Sequence, residues 1–137
     1  MMILETTYII QEQDIDELGH MNYMNYLKYL EDARFKWFEQ AWLPLEQLVE
    51  LQKGFVVLKF DMSYLKELRL DETMTIRTIP TKLGNKSFTL KQEIYNANKD
   101  LTNEATFIFT IMDLIERKSI PVPDEIKKQF TEVNSGH

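Results

Sequence analysis

Two aspartates, a glycine and a histidine fall together in Asp14-Ile15-Asp16-Glu17-Leu18-Gly19-His20, directly ahead of Met21-Asn22-Tyr23 and a long aromatic stretch. A carboxylate beside a helix N-terminus can be aimed at a bound carbonyl, because the helix's unpaired N–H groups polarise the carbonyl oxygen. The segment therefore offers a candidate base and a candidate oxyanion site at once. No other stretch of the chain offers both.

Each residue also has a plain structural reading. An acid in a loop before a helix commonly forms a turn or a cap, and this applies to Asp16 taken alone. Asp14 reads as a brace for the loop and Asn22 as the N-cap. His20 titrates in a useful range, so it either orients water or the carboxylate or simply packs. A metal site is not expected, because the only other histidine, His137, lies at the chain end and the acids lack partners at ligand spacing.

The elements around the segment must hold it. Ile3 to Gln11 is rich in Thr and aliphatic residues and reads as a strand, and the acids ending at Gly19 form the loop leaving it. A helix is expected from Asn22 to about Trp42, where Pro44 closes it. Tyr26, Leu30, Ala33 and Trp37 make its apolar stripe, widened by Leu27, Phe35 and Phe38. A helix of this length spans about 30 Å and can cross a whole sheet. After Gly54 the apolar period becomes two: Leu58, Phe60, Met62 and Tyr64; then Met74, Ile76 and Thr78; then Phe88, Leu90 and Ile94.

The turns near Leu70-Asp71-Glu72, Leu83-Gly84-Asn85 and Asn98-Lys99-Asp100 are short, which permits hairpin-like antiparallel connections and excludes helical crossovers. A strand from Ala105 to Ile115 is apolar on both faces, with Phe107, Phe109 and Ile111 on one and Ile108, Met112 and Leu114 on the other. Its second face is expected to meet another subunit or layer. Pro121 and Pro123 introduce a short helix around Asp124 to Phe130. The expected fold is α+β: one strand, a long central helix, then four strands of a curved antiparallel sheet around it.

With 137 residues, 44% hydrophobic and 28% charged, the chain suits one domain over 1–137, with a fraying tail after about Thr131. No apolar run approaches the roughly 20 residues of a membrane span. The first 27 residues hold five acids and no Lys or Arg, unlike a targeting segment, so a cytoplasmic location is the default expectation. The lack of cysteine excludes a thiolate nucleophile and a disulfide framework. A net charge of -6 argues against nucleic-acid binding. Lys53 to Lys91 is nevertheless locally basic, with eight bases against four acids. That split suits a substrate with a remote anionic handle, although from charge alone solvated strand faces are the commoner reading.

The pattern Asp14-x-Asp16-x-x-Gly19-His20-Met21-Asn22-x-x-x-Tyr26, followed by Glu31-x-Ala33-Arg34, resembles the active-site segment of hot-dog-fold acyl thioesterases of the 4-hydroxybenzoyl-CoA thioesterase class. The Gly-His-hydrophobic-Asn form is most similar to long-chain acyl-CoA thioesterases and to acyl-ACP thioesterases. Lys86-Ser87-Phe88 and Ile120-Pro121-Val122-Pro123 extend the resemblance over nearly the whole chain.

The resemblance implies that Asp16 is the catalytic carboxylate, acting as general base on water or as nucleophile on the thioester. Gly19 would permit a tight approach into the helix, and the Tyr23 N–H would polarise the thioester oxygen. Asn22 and Tyr26 would border the substrate, and Lys86, Arg117 and Lys118 would hold the phosphates of coenzyme A. Relatives usually carry a second Asn where Tyr23 stands, so the acyl preference does not transfer. The implied protein is an acyl-CoA thioesterase without metal or redox cofactor, built as a homodimer or homotetramer. Acyl carrier protein as thiol donor, a non-catalytic acyl-CoA-binding module and a dehydratase are the other readings.

Overall fold

The computed structural model describes residues 1–131; the expected fraying tail and His137 lie outside the described residues. The order is β1 (Leu4–Ile9), α1 (Tyr23–Ala41), α2 (Leu45–Glu50), β2 (Lys53–Tyr64), β3 (Thr73–Leu83), β4 (Phe88–Tyr95), β5 (Leu101–Asp113), β6 (Lys118–Ile120) and α3 (Asp124–Lys127). A 3-10 turn over Glu12–Asp14 leads from β1 toward the acidic loop. The strands form one curled antiparallel sheet in the order β1-β3-β4-β5-β2, and α1 packs on its inner face. This is the hot-dog arrangement that the family resemblance implies.

The inner face follows directly from the period-two pattern. Met74, Ile76, Phe88, Leu90, Ile94, Ala105, Phe107, Phe109 and Ile111 are all buried there. They meet Leu30, Ala33, Trp37 and Phe38 of α1. Phe38 stacks on Phe55 at 3.8 Å and meets Phe109 edge-on at 5.4 Å, which fixes the helix rotation over the sheet. A polar cluster is set into this core: Gln92 donates to the Leu30 carbonyl and to Thr78 Oγ1, both at 3.0 Å, and accepts from Arg34. The Arg34 guanidinium lies 4.0 Å over the Phe107 ring. Burial lowers its pKa to about 10, well above neutrality, so it stays charged.

Several expectations are corrected. Five strands rather than four follow the helices, because β5 runs past the start of β4, where Phe88 pairs with Phe109. The edge of Ile111 to Asp113 left open beyond that pair is taken by β6. The residues after Pro44 form α2, which buries only Leu48 and so gives a weak periodic signal. Leu58 does not share the face of Phe60: the register shifts between Val57 and Lys59, leaving Leu58 in a bulge and 57% exposed.

Ile108 and Met112 do face away from the core and are half-buried, while Leu114 lies past the strand end. Their face carries an ion-pair ladder from Glu5 to Arg77, Glu93, Lys91 and Glu104. The large exposed apolar surface lies instead on edge strand β2, at Leu58, Phe60 and Tyr64.

Candidate active site

Asp16 sits in a tight turn whose hydrogen bonds define its orientation. Its N–H donates to the His20 carbonyl at 3.3 Å, and its own carbonyl accepts from Gly19 N–H at 3.0 Å. Carboxylate Oδ1 accepts from Leu18 N–H at 2.9 Å, while Oδ2 has only a long 3.5 Å contact with the Asn22 amide. One oxygen is thus tied to the loop and the other is nearly free.

Gly19 has φ +84° and nothing within 4 Å of where a Cβ would stand. The expected tight approach at this glycine is therefore corrected: the turn needs glycine for its backbone angle, not for space.

Asp14 holds this loop to the helix. It is 6% exposed, and its carboxylate accepts from Gln11 N–H at 3.0 Å and from the Tyr29 hydroxyl. Its carbonyl accepts from Asn22 N–H and from the Asn25 amide, each at 3.0 Å. Burial and the Asp14 carboxylate both push the Tyr29 phenol upward, so it remains a donor at neutral pH. Sequence reasoning missed Tyr29, although it lies two turns along α1 from the Asn22 cap and could have been placed on the loop side of the helix.

Asn22 caps α1, its side chain accepting from Met24 N–H at 2.9 Å and its carbonyl from Asn25 N–H at 2.9 Å. Tyr23 N–H, the first of the helix, has no acceptor among the described residues. It is left pointing out of the N-terminus beside Asp16, where the dipole favours a developing negative charge.

A cavity of about 370 Å³ opens here, lined by Asp16, Leu18, His20, Met21, Tyr23, Tyr26, Tyr64 and the segment Leu65 to Glu67. Tyr26 and Tyr64 meet edge-on at 5.3 Å and form its aromatic wall. The Tyr64 hydroxyl donates to the Tyr23 carbonyl at 3.3 Å. His20 lies 3.9 Å from the Glu67 carboxylate, which Arg69 also holds. On the other flank of Asp16 is a shallower cavity of about 600 Å³ bordered by Gln13, Asn22, Asn25, Leu27 and Lys28. Asp16 belongs to both walls, so a molecule lying across it would extend both ways.

The structure thus brings together Asp16, Gly19, His20, Asn22, Tyr23 and Tyr26. It does not bring Lys86, Arg117 or Lys118 to them within one chain. Asp16 is at the end of the sheet where Tyr64 pairs with Asn103, whereas Lys118 pairs with Asp113 at the other end of β5. Ten strand residues separate the two ends, about 30 Å.

Comparison with known proteins bears on the fold and the family. Acyl-CoA thioester hydrolase YbgC of Escherichia coli O6:H1 is 28% identical over 118 residues, covering 86% of this chain and 88% of that protein. The PA2801 protein of Pseudomonas aeruginosa superposes with a TM-score of 0.85 at 28% identity, covering 93% of this chain and 97% of its own. SAV2348 of Staphylococcus aureus, solved in complex with CoA, shares the fold at 20% identity and a TM-score of 0.87, over 93% of this chain and 81% of that one. The family model described as Thioesterase-like superfamily matches residues 10–130, and the chain belongs to that family.

Proposed function

We propose that the protein is an acyl-CoA thioesterase in which Asp16 and the Tyr23 N–H work on the same carbonyl. The observation that carries this is the pairing of a half-free carboxylate with an unpartnered helix N–H on one cavity wall. With Asp16 as general base, the carboxylate takes a proton from water as the oxygen attacks the thioester carbon. The oxyanion forms against Tyr23 N–H. Collapse breaks the C–S bond, and the thiolate leaves and takes up a proton. With Asp16 as nucleophile, the same oxygen forms a transient anhydride that water then cleaves. YbgC, a relative matched over most of both chains, supports acyl-CoA as the substrate class.

The working unit is at least a homodimer. β2 is a long sheet edge with Leu58, Phe60 and Tyr64 half-exposed, and such an edge invites pairing. If two β2 edges pair antiparallel, the basic end of one chain comes beside the Asp16 end of the other. The Lys118 strand then lies three strand spacings from Tyr64 of the other chain, about 15 Å at about 4.8 Å each. That reach suits the phosphates of a coenzyme A whose thioester lies on Asp16, and it gives Lys86, Arg117 and Lys118 a role that one chain alone denies them.

Asp16→Asn should abolish thiol release from acyl-CoA while the circular dichroism spectrum stays that of the wild type. Full activity in that variant would overturn the mechanism.

A further inference from the structure

The tetrahedral intermediate of a thioester carries a full negative charge on one oxygen, and that oxygen can accept more than one hydrogen bond. The start of α1 offers it a single free backbone donor. The N–H groups of Met21, Asn22, Met24 and Asn25 are all given to acceptors within the protein, which leaves the Tyr23 N–H. A second donor from the protein has to be a side chain on the cavity wall. The Asn22 amide is turned toward Asp16 Oδ2 at 3.5 Å, and the His20 imidazole toward Glu67 at 3.9 Å. The Tyr26 phenol lies behind the wall against the Leu68 backbone and the Asn103 amide, in a residue only 3% exposed. Tyr64 is placed differently. It ends β2 and reaches across to the helix start, where its hydroxyl donates to the Tyr23 carbonyl at 3.3 Å, in the same residue as the free N–H.

We propose that the Tyr64 hydroxyl is a catalytic residue, the second donor to the thioester oxyanion, which it meets by leaving the Tyr23 carbonyl when substrate fills the cavity. Little opposes that turn. The bond it gives up is long, and the Tyr23 carbonyl still serves the helix ladder four residues on. The strand end itself stays fixed, because the Leu65 and Lys66 N–H groups both donate to the Thr102 carbonyl, at 2.8 and 3.1 Å. The ring is half-exposed and meets Tyr26 edge-on, so the hydroxyl can swing while the backbone does not. Partial burial, with the neighbouring Tyr23 phenol, raises the Tyr64 phenol above its usual range, and it keeps its proton at neutral pH. It gives a hydrogen bond only; no covalent bond forms or breaks on it. The carbonyl oxygen of a resting thioester competes poorly with Tyr23 for this donor, whereas the charged oxyanion competes well. The bond is therefore strongest in the transition state, which is the condition for raising kcat.

This inference rests on the thioesterase reading, and the experiment separates the two. Thiol release by the full-length protein is measured on an acyl-CoA and on the matching acyl-pantetheine, for the wild type and for Tyr64→Phe, which keeps the ring. In the variant kcat should fall about 10- to 100-fold on both substrates, with KM changed by less than about twofold. Fluorotyrosine placed at position 64 alone is nearly the same shape and a more acidic donor, and it should raise kcat at neutral pH. That second measurement also serves if the phenylalanine variant does not fold. A raised KM with kcat unchanged would make Tyr64 a wall of the cavity and nothing more. A loss of kcat in Tyr64→Phe with no response to fluorotyrosine would make it a brace for the helix. Either result, or a variant as active as the wild type, overturns the donor role. Failure of the wild type to hydrolyse any acyl-CoA would instead overturn the thioesterase reading.

Discussion

Asp16 and its neighbours divide a single short loop into a part that faces the cavity and parts that hold the loop to the helix. Asp14 is buried, with Oδ2 held by Gln11 and Tyr29 and its carbonyl by Asn22 and Asn25, whereas Asp16 lines the cavity and keeps Oδ2 nearly free. Two predictions belong at this scale. Tyr29→Phe removes a hydrogen bond to a buried carboxylate and should cost about 1.5–3 kcal/mol of stability, read from denaturant unfolding. It should also lower kcat more than it raises KM, since the loop carrying Asp16 loosens while the cavity walls remain. Gly19→Ala introduces no clash but must hold φ +84°, so it should destabilise by about 1 kcal/mol and slow turnover. A Gly19→Ala variant as stable and active as the wild type would show that the turn tolerates an L residue. The acids, Gly19, His20 and Asn22 were all legible as a group in sequence, because they are contiguous. Tyr29 was not, because its importance comes from what lies across space from it.

Among the elements, α1 carries the site and is fixed at both its end and its middle. At its end, Asn22 supplies the cap. Asn22→Ala should cost about 1 kcal/mol, and Asn22→Ser should restore most of it, as measured by thermal unfolding. At its middle, Gln92 reaches from β4 to the Leu30 carbonyl and to Arg34. Removing it as Gln92→Ala leaves the buried Thr78 and Arg34 without their partner and should cost about 1–3 kcal/mol. The apolar stripe Tyr26, Leu30, Ala33, Trp37 and the inner faces of β3, β4 and β5 were read from periodicity, since a helix stripe and a strand face are local facts. The short elements escaped it. β6 has three residues and exists because β5 leaves an edge open, and α2 buries a single leucine.

For the whole molecule, the exposed edge of β2 and the distance of Lys118 from Asp16 lead to the same expectation. In solution, light scattering should report at least twice the 16.4 kDa chain mass, and a monomer at assay concentration that retains full activity would contradict the shared site. Reversing Lys86 and Lys118 together to Glu should raise KM for an acyl-CoA at least several-fold and leave the KM for the matching acyl-pantetheine unchanged, since the latter lacks the nucleotide phosphates. A charge effect of this kind should weaken with added salt.

Sequence alone determined the α+β class, the extent of the central helix, the buried strand faces and the contiguity of the loop residues that border the cavity. All of these depend on residues near one another in the chain, where period and spacing are enough. Only the tertiary structure decided which carboxylate oxygen of Asp16 is free, that Gly19 serves a backbone angle, and that Tyr64 walls the cavity. It also separated the basic residues from Asp16 within one chain. These are consequences of strand register and of the sheet closing around α1, and register sets neighbours that no local pattern contains.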